Sequence, residues 1–183
     1  MNKNLSQAKR LKVVIIGIEN SGKTTLVKHL SPGAKSIEHF DANGESITVG
    51  LDIGVISLAG YALHFFGTPG HARFEFARKI VSHGAHIGIL MLDSVEAAKA
   101  GISQRDKDFE QELMAKNIPY FVCANKQDVP GALALPEIAP HFNADVYPIS
   151  ARDGQGVDAL RADLVNLIES KSNDWWSPTA KSA

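Results

Sequence analysis

One turn constrains this chain more than any other stretch. Residues 11–16, Leu-Lys-Val-Val-Ile-Ile, form a short β-branched run that Gly17 closes. The chain then reads Gly-Ile-Glu-Asn-Ser-Gly-Lys-Thr to Thr24, and residues 22–30 carry a helical pattern. That is a buried strand turning through two glycines straight into a helix.

The rest of the chain repeats the alternation. A polar, glycine-bearing stretch from Ser31 to Ser46 reads as a loop. Runs at 47–58 and 61–66 are separated only by Ala59-Gly60, a gap that closes a hairpin but cannot form a parallel crossover. Further strands are expected at 85–93, 118–124 and 145–149, with helices near 71–83, 101–116, 134–142 and 155–170. The last helix places Val157, Leu160, Leu164, Leu167 and Ile168 on one face, as a helix covering a sheet requires. The sum is an α/β fold: a mostly parallel sheet with helices on both faces and one antiparallel edge strand. Ligands of such sheets sit at the carboxyl ends of the strands.

A length of 183 residues fits one domain, expected over 11–170 with a short N-terminal extension (1–10) and a C-terminal tail (171–183). A net charge of −1 gives no electrostatic reason to expect nucleic-acid binding. Cys123 lies in an apolar run and reads as a buried, inert thiol. No apolar stretch approaches the ~20 residues that span a bilayer, and none resembles a signal-peptide core, so a cytoplasmic, soluble protein is expected. Asn2 gives no acceptor glycine for myristoylation, and Lys181-Ser182-Ala183 offers no cysteine for prenylation. Any membrane contact is expected to be indirect.

The turn has a chemistry. Gly17 to Thr24 fits the pattern Gly-x-x-x-x-Gly-Lys-Ser/Thr in the strand–loop–helix context that the pattern needs. Backbone N–H groups of Glu19, Asn20, Ser21, Gly22 and Lys23 form a nest for a phosphate, and the helix start adds its positive dipole end. Lys23 reaches phosphate oxygens, and the Thr24 hydroxyl is a ligand for Mg²⁺; Thr25 stands beside them. About one hundred residues later, Ala124-Asn-Lys-Gln-Asp128 follows a strand. A carboxylate at Asp128 accepts from both the ring N–H and the exocyclic amine of guanine, a donor pair that adenine lacks. The Lys126 stem lies over the base plane, and Asn125 ties this loop to the phosphate loop. After the last strand come Ser150, Ala151 and Arg152; the Ala151 N–H is placed to meet the guanine carbonyl.

With these three motifs in order, residues 11–170 resemble a small Ras-like GTPase of the P-loop superfamily. The nearest branches are the Arf/Arl/Sar group and prokaryotic small GTPases with Phe-Gly-Thr-Pro-Gly in the second switch. Gly-Ile-Glu-Asn-Ser-Gly-Lys-Thr-Thr-Leu, Thr-Val-Gly-Leu-Asp-Ile-Gly, Phe-Phe-Gly-Thr-Pro-Gly-His and Asn-Lys-Gln-Asp-Val-Pro-Gly-Ala carry the likeness. It implies six strands, GTP/GDP and Mg²⁺ as cofactors, and two loops that close on the γ-phosphate. Thr48 matches the first-switch threonine, which ligates Mg²⁺ and meets the γ-phosphate by its N–H; Gly70 matches the second-switch glycine. The likeness also implies protein effectors, an activating partner and an exchange factor acting on a monomer through these switches. The Arf group further slides its interswitch hairpin, here about 49–66, along the sheet between nucleotide states.

The chain departs from the family at Gly67, where relatives carry an Asp that holds Mg²⁺. Asp52 is a candidate replacement, the alternative being a solvent-facing residue on an edge strand. Asp93 is a weaker candidate, with a capping role the simpler reading. His71 falls where relatives keep the water-orienting glutamine, and local Pro-Gly-His resembles translation-factor GTPases. Together with Lys23 it is the candidate catalytic residue. Glu19 places a carboxylate near the γ-phosphate and implies slow hydrolysis. Arg73 and Arg78 are the nearby arginines, read as a partner-facing or salt-bridged surface. Phe74, Phe76 and Ile80 suit either the core or an effector patch. Trp175-Trp176 suits packing on the domain or a partner contact. Two functions follow: a switch that slowly hydrolyses GTP, or a GTP-stabilised interaction module with negligible turnover.

Overall fold

The structure is a computed structural model and describes residues 8–40 and 46–171, with the side chains of 37–50 and Ala72 not described. Trp175 and Trp176 lie outside the described residues. Among the described residues seven strands form one sheet: β1 (Lys9–Gly17), β2 (Lys35–Phe40), β3 (Ser46–Leu58), β4 (Tyr61–Gly67), β5 (Ile87–Asp93), β6 (Tyr120–Asn125) and β7 (Val146–Pro148). Their spatial order is β2-β3-β4-β1-β5-β6-β7. β3 runs antiparallel to both β2 and β4, whereas β4, β1, β5, β6 and β7 pair in parallel.

Two corrections to the expected sheet follow. It has seven strands rather than six, and the antiparallel strand is second from the edge. The added strand, Lys35–Phe40, lies in the stretch read as a loop. It pairs with the free edge of β3 through backbone hydrogen bonds, which need no apolar periodicity, and edge strands tolerate charge.

Among the described residues six α-helices complete the fold: α1 (Lys23–Leu30), α2 (Glu75–Ser82), α3 (Ser94–Ala100), α4 (Gln104–Ala115), α5 (Leu135–Ile138) and α6 (Val157–Lys171). A 3₁₀ turn, Ala72–Phe74, precedes α2. No helix among the described residues is long and apolar enough to cross a membrane. β1 shows why its sequence is continuously apolar. Val13 and Ile15 enter the core under α1 and α6, with Leu26, Leu30, Leu160, Leu164 and Ile168, while Val14 and Ile16 face Phe109 and Leu113 of α4. A strand covered on both faces has no polar face to alternate with. Cys123 is fully buried, and burial pushes its thiol up, in line with an inert core thiol.

Candidate functional site

The turn after β1 and the loops after β4 and β6 meet at the carboxyl ends of their parallel strands. Gly22 enters α1 with φ +96°, and a Cβ there would lie 2.2 Å from Asn125 Nδ2. Only glycine lets the two loops approach so closely. Asn125, 4% exposed, uses that space: its Nδ2 donates to the Ser21 carbonyl (2.8 Å), and its Oδ1 accepts from the Ala151 N–H (2.8 Å). One buried amide thus binds all three motif loops together. The second of these bonds corrects an expectation. The Ala151 N–H, expected to face a base, is instead donated to Asn125, because a buried amide oxygen needs a donor.

The loop around Asp128 is held from every side. Lys126 has φ +72° and pairs its ammonium with Asp93, and Gln127 donates to Ser94 Oγ and to the Leu133 carbonyl. Asp93 also caps α3, accepting from the N–H groups of Val95 and Glu96. The Asp128 carboxylate, its side chain 11% exposed, pairs with Arg152 at 2.9 Å. Ser150 Oγ accepts from the Asp153 N–H at 3.1 Å and shapes the turn that carries Arg152.

Beneath the phosphate loop lies a cavity of about 290 Å³, lined in part by Glu19, Lys23, Thr24, Asp52, Gly70 and His71, with Asn20, Gly22 and Thr25 at its wall. Lys23 is 8% exposed and donates to the carbonyls of Gly17 (3.1 Å) and Ile18 (2.6 Å). Burial pushes its ammonium down to about 8, a shift that Asp52 and Glu19 oppose and Arg105 reinforces. The Thr24 hydroxyl donates to Asp52 Oδ2 at 2.5 Å. Asp52 is 3% exposed, and its Oδ1 is buried with no hydrogen-bond partner among the described residues. This removes the solvent-facing alternative for Asp52. Among the described residues no three His, Cys, Asp or Glu cluster to hold a metal unaided. The donor set here, a hydroxyl beside an orphaned carboxylate oxygen, suits a hard cation that takes its other ligands from phosphate or water.

The loop after β4 closes the cavity. A Cβ on Gly70 would lie 2.6 Å from the Glu19 N, so this backbone rests against the phosphate loop. His71 is exposed at the cavity's edge, and its Nδ1 accepts from the Arg73 N–H at 3.3 Å. With Nδ1 an acceptor, a neutral ring carries its proton on Nε2. Thr48 stands in extended β3 four residues before Asp52, about 13 Å along the strand at the usual rise, and its side chain is not described.

Arg78 is 6% exposed, paired with Glu112 at 3.3 Å and stacked over Phe109, away from the cavity. A different arginine reaches the cavity's loop: from α4 the Arg105 Nη2 donates to the Gly70 carbonyl at 2.9 Å. Nothing in the local sequence of α4 marks that arginine. Of the three apolar residues weighed in the second switch, Phe76 and Ile80 are 76% and 58% exposed, while Phe74 is half-buried.

Comparison with known proteins places this geometry. The chain is 37% identical over 119 residues to the uncharacterized protein MJ1339 of Methanocaldococcus jannaschii, covering 65% of this chain and 71% of that protein. It is 25% identical over 179 residues to ADP-ribosylation factor-like protein 6 of Caenorhabditis elegans, covering 89% and 91%. Among solved structures, translation elongation factor SelB from Methanococcus maripaludis, in complex with the GTP analogue GppNHp, shares the fold with a TM-score of 0.69 and 23% identity. That match covers 88% of this chain and only 34% of the elongation factor chain. A family model described as Arf, the ADP-ribosylation factor family, matches residues 1–171, and the chain belongs to that family of GTP-binding GTPases.

Proposed function

We propose that this chain is a magnesium-dependent switch that binds GTP, slowly hydrolyses it to GDP and phosphate, and changes the shape of its two switch loops to control a protein partner. The observation that carries the reading is Asn125, whose two 2.8 Å bonds join the phosphate loop to the loop bearing Asp128 and to the Ala151 turn. A phosphate cradle and a base-selecting carboxylate held in one rigid piece suit one nucleotide spanning both.

On this reading Asp128 leaves Arg152 to accept from guanine, and Lys23 exchanges its carbonyl partners for β- and γ-phosphate oxygens. The N–H groups from Glu19 to Lys23 hold the β-phosphate, with Thr25 beside them. Thr24 and Thr48 would hold Mg²⁺, which when bound neutralises charge developing on the phosphate oxygens. His71, donating through Nε2, orients the attacking water rather than removing its proton. Glu19 sets a negative charge beside the γ-phosphate and keeps the unaided rate low.

On this reading Thr48 comes to the nucleotide as the first half of β3 leaves its pairing with β2 (His39 with Ile47, Phe40 with Ser46). Gly70 already lies at the cavity. The two switch segments therefore differ between nucleotide states, which is the output of a switch. Exposed Phe76 and Ile80 on α2 give effectors and regulators an apolar foothold next to that change.

Single-turnover phosphate release from bound GTP, with and without magnesium, tests the reading. Magnesium-dependent release well above the rate of GTP in water is expected. Tight GTP binding with no such release leaves the interaction module, and a preference for ATP sinks both.

A further inference from the structure

We propose that the acid missing from the head of the second-switch loop has crossed the β3–β4 ladder to Asp52, and that glycine at 67 makes room for it. The inference rests on the reading of the cavity as a magnesium–nucleotide site and names the carboxylate that serves the cation there.

Asp52 and Gly67 are direct partners in the antiparallel β3–β4 pair. Side chains of directly opposed residues project to the same face, with Cβ atoms normally about 4.5–5.5 Å apart. Position 67 has no side chain, and the Asp52 carboxylate has taken its space. A Cβ built on Gly67 would fall 2.9 Å from Asp52 Oδ2 and 3.1 Å from Asp52 Cβ, both tighter than ordinary contact. Two side chains do not fit this cell of the ladder, so an acid enters from one strand or from the other.

The contacts of Asp52 point to a cation. Its Oδ2 takes the hydroxyl proton of Thr24, so the Thr24 oxygen has only lone pairs left to offer. That is the state of a metal ligand. Its Oδ1 is buried and unpartnered among the described residues, in a side chain that lines the cavity. Lys23, whose ammonium feels the charge of Asp52, spends its hydrogen bonds on Gly17, Ile18 and Ser21. A buried carboxylate oxygen without a donor is costly unless something positive arrives. A purely structural Asp52, there to fix the Thr24 rotamer, would need only one oxygen.

The test follows release of a fluorescent GDP from the full chain, with magnesium and after chelation, together with Mn²⁺ binding by electron paramagnetic resonance. In the unaltered protein, chelation is expected to speed release. Asp52→Asn keeps the shape and still accepts from Thr24, so a structural role survives it. The expected result is fast release even in magnesium, little further effect of chelator, and Mn²⁺ binding weaker by about 10–100-fold. The exchange Asp52→Gly with Gly67→Asp, which returns the acid from β4, is expected to restore slow, chelator-sensitive release. Asp52→Asn with an unaltered chelator response and Mn²⁺ affinity overturns the proposal, whether or not the exchanged variant folds. An unaltered protein that fails to retain GDP in magnesium overturns the reading of the site itself, and the proposal with it.

Discussion

The two ends of the candidate site are built differently. At the base end the motif side chains already have partners inside the protein: Asn125 with Ser21 and Ala151, Lys126 with Asp93, Asp128 with Arg152. At the phosphate end Asp52 Oδ1 has none among the described residues, and the Lys23 ammonium is wrapped around the carbonyls of its own loop. Satisfied polar groups rigidify, whereas an uncompensated buried charge favours whatever ligand completes it. On the proposed reading the base end is therefore a template that selects, and the phosphate end is a spring that responds.

The largest effect is expected where selection is made. On the proposed reading Asp128→Ala removes the acceptor for both guanine donors, while Arg152 keeps its pairing with Asp153. Hydrogen bonds to a charged group are worth about 1.5–3 kcal/mol each, so losing two should weaken GDP binding by roughly 100-fold or more. Competition between GDP and ADP checks it: the preference for guanine should vanish while fold stability stays nearly unchanged. A variant that keeps its guanine preference would mean that selection is made elsewhere.

A smaller effect, graded with pH, is expected at the phosphate end. Burial pushes Lys23 down to about 8 in the nucleotide-free protein, against an ordinary value of 10.5. Phosphate oxygens pull it back up, so binding takes up a proton between those two values. Affinity for GDP should be flat below about pH 8 and then fall by up to roughly tenfold per unit. The stability of the nucleotide-free protein should move the other way. The unfolded chain holds the proton more tightly over this window, so unfolding becomes less favourable as pH rises through it. Calorimetry in buffers of different ionisation heat, paired with denaturant titrations at pH 7.5 and 9.5, resolves the two trends. Parallel trends would mean that the ammonium is not the group responding.

The same contrast explains what was legible in the sequence. The phosphate loop, the Asn-Lys-Gln-Asp loop and the turn at Ala151 are contiguous, and each follows an apolar strand, so both fold and site could be read from local pattern. β2 was read as a loop because Lys35–Phe40 is polar and owes its form to the open edge of β3. α3 was missed because seven residues are too few for a clear period, although Asp93 followed three residues later by Glu96 marks a helix start. Asp52 stayed ambiguous for a different reason. Its role depends on which residue stands opposite across a ladder, and the pairing with Gly67 is a matter of register rather than spacing. Arg105 left no trace at all, being 35 residues from its partner carbonyl.

That arginine sharpens the comparison most finely, because its long side chain reaches from α4 to the responsive end. Its guanidinium donates to Gly70 at 2.9 Å, lies over the Phe109 ring at 5.6 Å, and helps to hold the Lys23 ammonium down. Arg105→Met keeps a flexible stem on Phe109 while removing both the donor and the charge. If Arg105 only packs α4, the variant should lose a little stability and nothing else. If it holds the second-switch glycine against the phosphate loop, single-turnover hydrolysis should fall about three- to tenfold, the worth of roughly one hydrogen bond. Affinity for GDP at pH 7 should then change by less than about twofold, because on the proposed reading Gly70 faces the γ-phosphate, which GDP lacks. The charge has a signature of its own. With Arg105 gone, the pH above which GDP affinity declines should move upward, since one of the influences lowering Lys23 has been removed. A slower hydrolysis with an unmoved pH profile would assign Arg105 to the loop alone, and a shifted profile with normal hydrolysis would assign it to the lysine.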